Sequence, residues 1–295
     1  MATIPVGKGP TSVAVNPTTG RVYVANEGSN SVSVVDGMNA TAVAAVSVGA
    51  GLFGVAVNPA TNRVYTANGT DNTVSVIDGA SNAVIETVAV GTFPITLAVN
   101  ERTNRIYVAN INGSSVSVID GKTNKVAATI PVDQFTGHIA INPTTGFVYT
   151  DSIAVGAKNV LVIDGMKNSV SSAIALELAN ALAIDPSTNR LYVTVVANQG
   201  KSEANVTVVD LNSNAVLASL STGSSDGQAV AVDPSRSFVY VGSNAGLLII
   251  DGKTNSVVKE LSLPVTNIDV DPTTNRVYLA DGKANTLTML SGMTR

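Results

Sequence analysis

The sequence predicts an all-β fold, a seven-bladed β-propeller with four antiparallel strands per blade, and three observations carry that prediction. An Asx anchor, followed by Pro in every unit but one, recurs at Asn16, Asn58, Asn100, Asn142, Asp185, Asp233 and Asp271. A Tyr follows each anchor by seven residues, at Tyr23, Tyr65, Tyr107, Tyr149, Tyr192, Tyr240 and Tyr278, and these are all seven tyrosines of the 295-residue chain. Each unit of about 42 residues also divides into four short β-branched runs, and a repeat of this length holding four strands is one propeller blade.

In the first unit SVAVN is strand A, RVYVAN strand B, SVSVVD strand C and AVAAVSV strand D. The segments between them, NPTTG, NEGSN and DGMN, supply the Asn, Gly, Asp and Pro residues that tight turns require. The seventh unit offers A (NIDVD), B (RVYLA) and C (TLTML), then ends at Arg295 without a fourth strand. Thr3–Val6 (TIPV) repeats Thr129–Val132, and both lie 13 residues before an Asn anchor. Residues 2–6 are therefore predicted to be the outer strand of blade 7, so that 1–295 is a single propeller closed by its own N-terminus. Pro5 is tolerated there because that strand is an edge.

The segments YVANEGSNSVSVVDG (Tyr23–Gly37), YTANGTDNTVSVIDG (Tyr65–Gly79) and YVANINGSSVSVIDG (Tyr107–Gly121), with KVAATIPV (Lys125–Val132), resemble the YVTN family of β-propeller repeats. The match is strong in blades 1 to 3 and weaker in blades 4 to 7. The resemblance implies a bacterial or archaeal exported or cell-surface type of protein, hence a periplasmic, secreted or surface location. It implies no particular reaction, because a shared fold does not carry a shared activity.

Composition narrows the function classes. The net charge is −4, and the 17 Lys and Arg residues are scattered singly, so no basic stripe is present to neutralise a phosphate backbone and no nucleic-acid partner is expected. No apolar run reaches the roughly 18 residues that span a bilayer, so no membrane insertion is expected. No export signal precedes the first repeat; if the protein is exported, its signal is expected outside this sequence, and a larger surface protein with this ring as one part is an alternative. With no Cys and one His, thiolate chemistry and His-rich metal sites are not expected; no cofactor and no metal are predicted. The string GAGLFG (Gly49–Gly54) matches a dinucleotide fingerprint but runs into another strand rather than a helix. GSSDG (Gly223–Gly227) likewise lacks the strand-to-helix elbow of a nucleophilic Ser.

Loop length separates the two faces of the ring. From anchor to Tyr the spacing is always seven, so the face bearing the A–B and C–D turns is scaffold. From Tyr to the end of strand C it is 13 in four blades but 15, 18 and 11 in blades 4, 5 and 6, so variation falls on the face bearing the B–C and D–A loops. On the scaffold face, Arg21, Arg63, Arg105 and Arg190 are expected to pair across strands with Asp36, Asp78, Asp120 and Asp210, while blades 4 and 6 carry Phe147 and Phe238 in place of Arg. The tyrosines are read as core residues with tethered hydroxyls.

The variable face brings Phe53, Phe93 and Phe135 to one side of the channel mouth and Glu177, Asn180, Asp226, Gln228, Thr266 and Asn267 to the other. The sole His138 stands where other blades place Ser12, Gly54, Thr96, Ala181, Ala229 and Asn267, and Asp269 replaces an Ala found in all six other blades. The expected function is noncatalytic binding or scaffolding by a monomer that recognises a protein or small-molecule ligand on this face, the long loops at 151–159 and 196–205 included. The alternative is a lyase or lactonase-type enzyme with His138 as base and Glu177, Asp226 or Asp269 as acid or ion ligand.

Overall fold

Seven four-stranded antiparallel sheets succeed one another along the chain in the computed structural model, which describes all residues except 133–135, 153–158, 177–178, 196–204, 224–226 and 295. Blade 1 runs through Pro10–Asn16, Arg21–Asn26, Ser31–Asp36 and Thr41–Ser47, strands A to D from the axis outward, and the others repeat that order. Each strand A touches the strand A of the next blade, and that of blade 7 (Asn267–Asp271) touches that of blade 1, so the sheets form a closed ring: a seven-bladed β-propeller. Among the described residues there is no α-helix, only two single 3₁₀ turns at Glu27–Ser29 and Ile111–Gly113, and no helix is long and apolar enough to cross a membrane.

The seam is made by the chain's two ends. Ala2–Pro5 pairs antiparallel with Thr286–Ser291 in the register Ala2↔Met289 to Pro5↔Thr286, completing blade 7 as its outermost strand. Ile4 is 3% exposed and packs with Val13, Val22, Tyr278 and Leu287, so the closing strand supplies apolar contact as well as a ladder. Gly9 N–H donates to Asn285 Oδ1 at 2.7 Å, and Val6 N–H to the Asn285 carbonyl at 3.1 Å.

The core is divided into wedges, one between each pair of neighbouring blades, because both faces of every sheet are covered. Strand B sits deepest: Val22 to Ala25 are wholly buried, whereas the outer strand Thr41–Ser47 buries Val46 alone. The seven tyrosines lie in the seven wedges, each facing the following blade, and burial raises the pKa of every one of their hydroxyls. Tethering of the hydroxyl is uneven. Tyr107 donates to the Gly165 carbonyl at 3.2 Å and Tyr240 accepts the Met293 N–H at 3.0 Å, while the Tyr23 and Tyr65 hydroxyls have no partner among the described residues.

The scaffold face is stitched by side-chain amides. Each anchor closes its own turn, as Asn16 Oδ1 accepts the Thr18 N–H at 3.0 Å, and Asn16, Asn58 and Asn142 also reach the next blade, as Asn16 Nδ2 donates to Asn62 Oδ1 at 2.9 Å. Asn58 to Asn104 and Asn142 to Asn189 repeat that link at 2.7 Å. The accepting asparagines sit at positive φ (50° at Asn62, 51° at Asn104), a conformation Asn tolerates in tight turns.

The expected Arg–Asp pairs are found in two blades of four. Arg21 meets Asp36 at 3.3 Å and Arg63 meets Asp78. Arg105 lies opposite Asp120 and Arg190 opposite Asp210 in register, yet their guanidinium groups cross to the following blade and donate to the Gly165 carbonyl at 2.9 Å and the Gly252 carbonyl at 2.5 Å. Arg276 does the same across the seam, to Gly37. These glycines open the C–D turns; a Cβ on Gly165 would lie 2.6 Å from the Tyr107 hydroxyl, so Arg and Tyr together clasp a turn that only Gly fits. Where blade 5 has Leu211 instead of that Gly, blade 4 presents Phe147 instead of Arg, and both pack on one apolar cluster. Phe238 likewise joins Met293 in the wedge between blades 6 and 7. The Asp residues that end strand C cap their own turns, and in Asp36, Asp164 and Asp210 backbone N–H donors, chiefly that of Asn39 for Asp36, hold the carboxyl below its usual range.

Candidate functional site

Strand A of blade 4 (Thr136–Ile141) pairs with strand B (Phe147–Ser152) through a bulge: Thr136 faces Ser152, Ile139 faces Thr150, and Gly137 and His138 together oppose Asp151. A bulge aims two consecutive N–H groups at one point. Here Asp151 Oδ1 receives both, from Gly137 at 3.1 Å and from His138 at 2.5 Å. Its Oδ2 lies 3.2 Å from His138 Nδ1. The Asp151 side chain is wholly buried, and that of His138 is about one-third exposed at 34%. A carboxylate already receiving two N–H groups accepts the Nδ1 proton as well, which fixes the ring orientation and, in the neutral ring, leaves the lone pair on Nε2. Thr150 Oγ1 donates to the His138 carbonyl at 2.9 Å, so the main chain of the bulge is held from two directions.

His138 lines a cavity of about 140 Å³ together with Ser12, Gly54, Thr96, Ala181, Ala229 and Asn267. These seven residues come one from each blade, at matching places on strand A, so the cavity lies on the ring axis. Gln228 also lines it, and among the described lining residues there is no Lys, Arg, Asp or Glu. The polar side chains are anchored to neighbouring blades. Ser12 Oγ accepts the Val55 N–H at 3.3 Å, Thr96 Oγ1 donates to the Gly137 carbonyl at 2.8 Å, and Asn267 Oδ1 accepts the Val13 N–H at 3.1 Å.

Asp269 stands two residues beyond Asn267 on the same face of its strand, in a layer otherwise made of Ala14, Ala56, Ala98, Ala140, Ala183 and Ala231, and it does not line the cavity of His138. Its Oδ2 accepts the Val15 N–H of blade 1 at 2.7 Å and its Oδ1 the Val270 N–H at 2.8 Å, so it joins the last blade to the first. Burial pushes its carboxyl up to about 6, with the two N–H donors pulling the other way.

The remaining candidates disperse. Phe53 and Phe93, half-buried on adjacent blades, pack against each other with ring centroids 5.5 Å apart and planes inclined by 48°, outside the axial cavity. Asn180 Nδ2 donates to the Gly227 carbonyl at 2.6 Å and links blades 5 and 6. Phe135, Glu177 and Asp226 lie outside the described residues, as do most of the long loops at 151–159 and 196–205. Among the described residues no group of three or more His, Asp or Glu is placed to hold a metal ion. Gly49–Gly54 runs directly into the strand Leu52–Asn58, with no helix to receive a pyrophosphate.

Sequence reasoning on the variable face passed over Asp151. The signal was present: nine residues after the anchor the other blades carry Ala25, Ala67, Ala109, Thr194, Gly242 and Ala280, and blade 4 alone carries a carboxylate. The Asn that ends strand B in blades 1 to 3 is structural. Asn26, Asn68 and Asn110 are buried, and their amides tie down strand C, as Asn110 Nδ2 does on Ser117 Oγ at 2.9 Å.

No protein-family model matches the chain, and no curated protein does. Among solved structures, Kuenenia stuttgartiensis hydrazine synthase superposes with a TM-score of 0.87 over 96% of this chain and 95% of that chain, at 19% sequence identity. At that identity the likeness shows the shared seven-bladed fold and nothing about activity.

Proposed function

We propose that this protein is a noncatalytic binding propeller that takes a small molecule in its axial cavity, with His138, held by Asp151, as the anchoring group. The observation that carries the reading is the wholly buried Asp151 carboxylate set behind a cavity-lining imidazole. A buried carboxylate is costly unless its partners matter, and this one fixes a ring that faces a cavity lined by one residue from every blade. The YVTN-like repeats support placing the chain with propellers of exported or surface type, and the proposal includes that setting. The test is a thermal-shift screen of small polar metabolites against the full chain and His138→Ala. A compound that raises the melting temperature of the first and not the second is expected; hits that are indifferent to His138 would refute the reading.

A second reading draws on the same pair. A carboxylate–imidazole arrangement at the lining of a cavity is also that of an oriented general base, which is the lyase or lactonase-type alternative. Of the acids considered for it, Asp269 stands in another layer with both oxygens engaged, and Glu177 and Asp226 lie outside the described residues. Turnover of small lactones that disappears in His138→Gln while ligand binding persists would favour catalysis over binding.

A further inference from the structure

The ligand chemistry of the axial cavity can be read from what Thr96, His138, Ser12 and Asn267 have left after the hydrogen bonds that anchor them; this step rests on the binding reading above. Thr96 has spent its proton on the Gly137 carbonyl, and its oxygen lone pairs remain. His138 has directed Nδ1–H to Asp151, and the Nε2 lone pair remains. On the other side, Ser12 has used a lone pair on the Val55 N–H and keeps its proton, and Asn267 has used its carbonyl on the Val13 N–H and keeps its NH₂ group. Thr96 and His138 belong to the adjacent blades 3 and 4, whereas Asn267 and Ser12 belong to the adjacent blades 7 and 1, across the ring. One wall therefore accepts protons in hydrogen bonds and the opposite wall donates them. Ala181, Gln228 and Ala229 line the arc between them on one side and Gly54 on the other.

We infer that the cavity takes a small uncharged carbonyl compound that also bears a hydroxyl or amide proton, a hydroxy-amide or hydroxy-carbonyl, with its O–H or N–H toward Thr96 and His138 and its carbonyl toward Ser12 and Asn267. Charge supports neutrality: among the described lining residues no Lys or Arg is present to offset an anion, and no carboxylate to offset a cation. Size agrees, since about 140 Å³ holds roughly five waters or a molecule of similar heavy-atom count. A ligand lacking either function leaves one polar wall unpaired on desolvation, which is the strongest source of discrimination available to such a site.

Because His138 is the only histidine, ¹⁵N-histidine labelling gives a single imidazole to observe. At pH 8 the free protein is expected to show the proton on Nδ1 and none on Nε2, and Asp151→Asn to weaken that preference. A proton on Nε2 overturns the acceptor wall. Titration then uses three matched probes: lactamide (neutral), lactate (anionic) and 1-amino-2-propanol (cationic). Lactamide alone is expected to shift the His138 resonances saturably, with affinity at least tenfold lower in Asn267→Leu and in Thr96→Val, both checked for intact fold by circular dichroism. Saturation by lactate or by 1-amino-2-propanol at equal or lower concentration overturns the ligand class and leaves axial binding standing. No response to any probe overturns the class, and the thermal-shift screen then decides separately whether the cavity binds at all.

Discussion

Asp151 serves His138 twice, accepting its backbone N–H at 2.5 Å with one oxygen and facing its Nδ1 at 3.2 Å with the other. Truncation at Asp151 removes the acceptor of two N–H groups inside a bulge, of which Gly137 N–H is the second. Asp151→Ala is expected to lower stability by about 2–4 kcal/mol, and Asp151→Asn by less, because the amide oxygen can still receive both N–H groups. Urea denaturation of the two variants checks the order, and an Asp151→Ala protein as stable as the parent contradicts the assignment.

Ring closure should depend on one apolar side chain of the first strand. Ile4→Ala is expected to cost about 2–4 kcal/mol, since Ile4 is 3% exposed within the seam cluster, while Thr3→Ala on the exposed face of the same strand should be near neutral. Removal of residues 2–6 should lower the melting temperature further than Ile4→Ala. Equal melting temperatures for the shortened and full chains would show that the ring does not need this strand.

The clasp on the C–D turns predicts coupling between blades 4 and 5. Phe147→Arg alone buries a cation against an apolar cluster, and Leu211→Gly alone empties part of it. Made together they recreate the Arg–Gly clasp seen between Arg105 and Gly165. A double-mutant cycle is expected to show the pair more stable than the sum of the singles by about 1 kcal/mol or more; strict additivity would mean that the two positions do not act as a unit.

Asp269 gives a pH dependence with a definite sign. Its folded pKa of about 6 lies above the ordinary value of 3.8, so the folded state holds this proton more tightly than the unfolded state. The contribution is fully present below about pH 4 and is lost as pH rises through about 6. The stability of the parent relative to Asp269→Asn should therefore fall between those limits and level off above them. Chemical denaturation of both proteins at half-unit pH steps measures the difference; a relative stability that climbs over that window would reverse the assignment.

The repeat made the ring, its blade boundaries and the closing strand legible, because seven copies of one pattern leave a missing strand in the last and a surplus strand in the first. What crosses between blades was harder to see. Arg105 and Asp120 are opposite each other within one sheet, as the spacing says, but the Gly165 carbonyl that takes the guanidinium belongs to another unit, and a single repeat carries no record of its neighbour's position. The exception held the clue: Phe147 departs from the pattern together with Leu211. At the candidate site, His138 and the cavity-lining ring could be read from the alignment of repeats. Asp151 could not be linked to His138 without knowing that a bulge turns two N–H groups toward it.

The pairing of Ala2–Pro5 with Thr286–Ser291 also constrains the order of events in biosynthesis. Within the ring, the strand synthesised first is the last to find its partner, so it waits through the synthesis of every blade while six sheets assemble from local hairpins. Bringing together ends this far apart in sequence carries the largest loop-closure entropy in the molecule, yet that cost grows only logarithmically with length, and the six preformed blades shorten the effective loop. Latching is thereby a late step, and a truncated nascent chain is left with an open rim and two unsatisfied strand edges, the form of this protein most exposed to self-association.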